Sequence, residues 1–125
     1  MNHYCLKFTG PLAQNNSNAA NYAKASVNRM EARTLDVRAD GPAWCCRFEG
    51  EDNLADIEVL ASECSELCAD VTTTVFVLTH QCAVAVEAIY AHGQFKGRYA
   101  YNKTESPQPY RRVCQEVLGD PCQIT

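Results

Sequence analysis

The stretch SECSELCADVTTTVFVLTHQC, residues 62–82, carries Cys64, Cys68, His80 and Cys82 close together along the chain. Thiolates and imidazoles are the groups that zinc coordination and nucleophilic catalysis use. Tetrahedral zinc sites are normally built from two close pairs such as C-x2-C, and this chain has no C-x-x-C. Cys64 and Cys68 fall on the same helical arc as Leu54, Ile57, Leu60, Ala61 and Leu67, so they read as small apolar residues of a core. His80 and Cys82 stand at the end of a strand-like run and offer two ligands only. Neighbouring Cys45 and Cys46 point to opposite faces of a strand, so only one of them could join a site. No metal and no other cofactor is expected.

A catalytic cysteine needs a depressed pKa and a base, and neither His80 nor His92 is joined to a thiol by spacing. The carboxylates show no separation that singles out an acid and a base. The six glycines never cluster as G-x-G-x-x-G or G-x-x-x-x-G-K. The reading is of a protein that is not an enzyme and has no small-molecule substrate.

Charge is more informative. No Lys or Arg occurs between Phe48 and Phe95, a stretch with nine acids, while the rest of the chain is net basic. At 100° per residue, Asp52, Asp56, Glu63, Glu66 and Asp70 gather opposite the apolar arc of the same helix, with Val59 among them and no cation at i+4. Such a face would attract a protein partner with a basic surface, including one built for nucleic acid. The second candidate surface is FKGRYAYNK, where aromatics interleave with cations as in strands that stack on bases. Phe95, Tyr99 and Tyr101 are expected on one strand face with Lys96 and Arg98 on the other; Arg111 and Arg112 would add phosphate contacts.

These residues need elements to hold them. HYCLKFT alternates as a strand, with Tyr4, Leu6 and Phe8 on one face. A helix follows in which Ala19, Ala23, Val27 and Met30 share a side, with N-caps offered by residues 15–18. TLDVRA and AWCCRFEG form a hairpin through DGP, with Leu35 and Val37 facing the core from one strand and Trp44, Cys46 and Phe48 from the other. The acidic helix comes next, then the inner strand VTTTVFVLT, two strands around Gly93, and a short helix from near Pro109 to Gly119. The order predicts an α+β fold: a ferredoxin-like β-α-β-β-α-β antiparallel sheet with extra C-terminal strands and a short terminal helix, in a single domain over residues 1–125.

The 125 residues include eight cysteines, an even number that in a secreted chain would mean a disulfide framework. The start MNHYCLKFTG has neither the charged nor the apolar region of a signal peptide, and no run of 18 apolar residues occurs. Reduced thiols, a cytoplasmic location and no membrane are therefore expected, with a secreted, disulfide-rich toxin or effector as the alternative.

The segments NHYCLKFTGP, GPAW, VFVLTH and AIYAHGQFKGRYAY together resemble small uncharacterised ferredoxin-fold proteins carried by phages and plasmids. Tyr4 stands where that group usually has tryptophan, and Cys45 and Cys46 replace its proline pair. The resemblance implies the fold and no catalytic residues. Joined to the charge pattern, it leads to a concrete expectation: a mobile-element inhibitor, anti-CRISPR-like, whose acidic helix occupies a basic nucleic-acid-binding surface of a host defence complex. A single-stranded nucleic-acid binder using Phe95, Arg98, Tyr99, Tyr101, Arg111 and Arg112 is the further alternative.

Overall fold

The computed structural model describes residues 1–51, 54–68, 70–79 and 84–119. Along these run β1 (Asn2–Thr9), α1 (Ala13–Val27), β2 (Ala32–Asp40), β3 (Ala43–Gly50), α2 (Leu54–Leu67), β4 (Thr72–Leu78), β5 (Ala85–Ala91), β6 (Gln94–Tyr101) and α3 (Pro107–Leu118). The strands make one open sheet in the order β2-β3-β1-β4-β5-β6, with every neighbouring pair antiparallel. The fold is α+β, with helices on both faces of the sheet, and no described helix is long and apolar enough to cross a membrane.

Alternation along the strands sorts the side chains. Tyr4, Leu6 and Phe8 of β1, Cys46 and Phe48 of β3, Val75 and Val77 of β4, and Ala88 and Tyr90 of β5 form one apolar layer under α1 and α2. The alternate residues on the opposite face, Cys5, Cys45, Phe76, Leu78 and Ala85, form a second, smaller layer under α3. β4 is therefore apolar on both sides because both its faces are covered. α1 meets the sheet through Ala19, Ala20, Ala23 and Val27, whose small side chains let its axis sit close.

Several local expectations are corrected. α1 begins at Ala13 with Leu12 at the N-cap position and no side-chain cap, so Asn15 and Asn16 lie inside its first turns. They tie elements together instead. Buried Asn16 donates from Nδ2 to the carbonyls of Gly10 (3.2 Å) and Pro42 (2.9 Å), and Asn15 Nδ2 reaches both oxygens of Asp70. In β2 the register shifts between Thr34 and Asp36, so Thr34 opposes Phe48 and Val37 opposes Cys46, while Leu35 is the extra residue and is left exposed. Leu67, expected on the apolar arc of α2, is 66% exposed. α3 starts at Pro107, two residues before the expected proline, and ends on Gly119 in the left-handed conformation.

Candidate functional site

α2 presents the first candidate surface. Ile57, Leu60, Ala61 and Cys64 are buried against the sheet, which turns Asp56, Val59, Glu63 and Glu66 outward at intervals of three or four residues. A pair of serines fixes the helix in place. Ser62 Oγ donates to the Gly93 carbonyl at 2.8 Å, and buried Ser65 Oγ accepts from the Gly93 N–H at 2.9 Å while donating to the Ser62 carbonyl. Gly93 (φ 74°) follows His92 (φ 54°) in the tight β5–β6 turn, and a Cβ on Gly93 would lie 3.2 Å from Cβ of Glu66. No local pattern marks Ser62 and Ser65, whose role depends on a turn far along the chain.

Among the described residues no cation forms an ion pair with Asp56, Glu63 or Glu66; Glu63 accepts only from the Tyr22 hydroxyl, at 3.3 Å. Val59 stands among them, 58% exposed, above a shallow groove lined by Ser26, Met30, Leu60 and Glu63. Asp70 lies beyond the end of the helix and is held by Asn15, so it flanks this face rather than continuing it. Asp52 lies outside the described residues, as do His80 and Cys82.

Phe95, Tyr99 and Tyr101 do not share one face of β6 as expected. The β5–β6 register shifts between Ile89 and Tyr90, so Phe95 opposes Tyr90 while Gly97 opposes Ile89, and Lys96 is the extra residue. Phe95 and Arg98 are thereby brought to the α2 side, with the guanidinium 5.4 Å from the Phe95 ring centroid. Arg98 is bound there by Glu58 of α2. Tyr101 instead turns to the α3 side, where its hydroxyl donates to Glu87 at 2.9 Å and Arg112 of α3 binds the same carboxylate oxygen. Tyr99, opposite Glu87, and Arg111 on α3 are exposed. The six residues divide between two faces of the sheet, and two of the three arginines are engaged by carboxylates.

A third candidate site has no counterpart in the sequence pattern. On the α3 side, Cys5 of β1, Cys45 of β3 and Glu116 of α3 bring their ligand atoms within 4.8 Å of one another. Lys7 Nζ bonds Glu116 Oε1 at 2.9 Å and Asp40 Oδ2 at 3.1 Å. Arg47, 5% exposed, donates from Nε to the Glu116 carbonyl and from Nη1 to Asp36. The hydrogen bond between the thiols raises Cys5, with burial adding to the rise; the same bond lowers Cys45, against its burial and with help from Arg47. Glu116 also lines a cleft of about 290 Å³ together with Arg38, Asp40, Arg47, Gln115 and Gly119. Cys5, Cys45 and Glu116 belong to three distant segments, so no spacing along the chain could have joined them.

The thiols that opened the sequence question behave differently. Cys64 and Cys46 belong to the apolar layer under α1 and α2, where burial pushes each up to about 12. No disulfide joins the described cysteines, and Cys68, half-buried at the end of α2, is the most accessible of them. Native-state alkylation at pH 8, followed by peptide mass mapping, is expected to modify Cys68 before Cys46 and Cys64, which should react only as the protein unfolds. Equal rates at the three positions would contradict this packing.

Comparison with protein-family models, curated proteins and solved structures finds no match.

Proposed function

We propose that this protein is a non-catalytic binding module that presents the outer face of α2 to a basic surface of a protein partner. The observation that carries the reading is the exposure of Val59 amid Asp56, Glu63 and Glu66, acids with no ion-pair partner among the described residues. An apolar side chain ringed by like charges suits a contact in which the apolar group is desolvated and the charges form a rim. Glu58 of α2, by contrast, holds Arg98, and Glu87 of β5 holds Arg112; both are less exposed and brace β6 and α3.

A partner with a groove for nucleic acid is the chemistry that fits, and occupation of that groove would make the protein an inhibitor. The concrete form of the proposal is a mobile-element product acting on a host defence complex. We also read the first four strands with α1 and α2 as a ferredoxin-like unit; the order β2-β3-β1-β4 and the two helices on one face support it, with β5, β6 and α3 as additions.

The nucleic-acid-binding alternative is weakened by the division of Phe95 and Arg98 from Tyr101 and Arg112. The test compares partner affinity for the wild-type chain and a triple variant, Asp56→Lys, Glu63→Lys and Glu66→Lys, after nuclease treatment and over a range of salt. The variant is expected to bind about tenfold more weakly or worse near physiological salt, and the wild-type affinity to fall as salt rises. Equal affinity of the two proteins would sink the proposal.

A further inference from the structure

We propose that Cys5, Cys45 and Glu116 form a binding site for a divalent cation of the zinc class. Around a tetrahedral zinc with bonds of about 2.3 Å to sulfur, two sulfurs stand about 3.8 Å apart. Ligand atoms already within 4.8 Å of one another therefore need only small side-chain adjustments to close on an ion. Cys5 and Cys45 come from adjacent strands, where the ladder sets Cys5 opposite Arg47 and Lys7 opposite Cys45, and Glu116 arrives from the helix that covers them. Two thiolates with one carboxylate suit a borderline-soft ion and not calcium or magnesium, which take oxygen ligands.

The surroundings separate this pair from Cys46 and Cys64. Cys46 and Cys64 lie among apolar side chains, whereas Cys5 and Cys45 have Lys7, Arg47 and Glu116 as neighbours. Two thiolates and a carboxylate around a divalent ion leave one negative charge, which the Lys7 ammonium on Glu116 offsets while also pairing with the exposed Asp40, and Arg47 is matched by Asp36. A carboxylate has enough lone pairs to hold Lys7 and a metal together. Phe76, Leu78 and Val113 belong to the same cluster as the two thiols and keep one side apolar, and on the other side Glu116 also lines an open cleft. Bound there, the ion would fasten α3 to β1 and β3.

The experiment uses the full chain, reduced and stripped of metal by a chelator, titrated with Co(II) and then with Zn(II). One equivalent of Co(II) is expected to bind, with the intense absorption of thiolate-to-cobalt charge transfer, and Zn(II) is expected to displace it. Cys5→Ser, Cys45→Ser and Glu116→Gln should each weaken binding by about 100-fold or more, beyond the upper end of what losing an outer-shell partner costs, while Cys68→Ser leaves it unchanged. Should the serine variants fold poorly, the wild-type chain gives an independent reading: Zn(II) is expected to slow alkylation of Cys5 and Cys45 in partly denaturing conditions. Absence of stoichiometric binding, binding retained in Cys45→Ser, or protection that falls on Cys82 or Cys122 instead would each overturn the assignment.

Discussion

Truncation of Phe48 to alanine is expected to lower the free energy of unfolding by about 3–5 kcal/mol, the range for emptying a buried aromatic site. Phe48 is fully buried on β3, directly opposite Tyr4 of β1, and their rings stack with centroids 5.1 Å apart and planes 16° from parallel. Strands on both sides and the helices above hold the walls of this site, so little collapse can offset the void. Urea denaturation should show a lower midpoint with an unchanged slope, which marks a loss of stability without a change in the surface exposed on unfolding. A loss below about 1 kcal/mol would mean that this layer repacks freely, contrary to the way it is built.

Arg47→Met is expected to cost about 2–3 kcal/mol, and its effect should be concentrated in α3. Methionine keeps much of the aliphatic volume but leaves the Glu116 carbonyl without its guanidinium donor and removes the cation facing Asp36. The cost is set below that of a fully buried ion pair because the Asp36 side chain is 43% exposed and can turn to water. Arg47→Lys should recover less than half of the loss, since one ammonium cannot reach both acceptors in the fork geometry. Amide hydrogen exchange supplies the discriminating readout: α3 amides should exchange faster in the methionine variant while those of β4 keep their protection. Uniform acceleration across both would show that Arg47 supports the whole fold and does not pin α3.

The elements could be read from the chain because their signals are local. The alternation of Tyr4, Leu6 and Phe8, the helical arc from Leu54 to Cys64, the turn at Gly41 and the left-handed Gly119 each follow from neighbours within a few residues. Which residues met across those elements was less legible. One extra residue in a strand reverses the facing of everything beyond it, and Leu35 and Lys96 are two such residues. The first moved Leu35 from the core to solvent; the second divided Phe95 from Tyr101 and removed a shared stacking face. Leu67 falls at the edge of the helical arc and is exposed, while its neighbour Cys68 still packs against the core. The acidic face needed only helical periodicity and was visible, whereas Cys5, Cys45 and Glu116 needed the β1–β3 register and the docking of α3.

The central claim is that the outer face of α2 is where a partner binds, and carboxylate footprinting of the complex tests it most directly. Free and complexed protein would be labelled with a carbodiimide and an amine, and the rate at each acid read by mass spectrometry. The account predicts that Asp56, Glu63 and Glu66 are protected in the complex while exposed Asp40 and Glu105, away from α2, label as in the free chain. Full labelling of the three α2 acids in a saturated complex, with protection elsewhere, would contradict it.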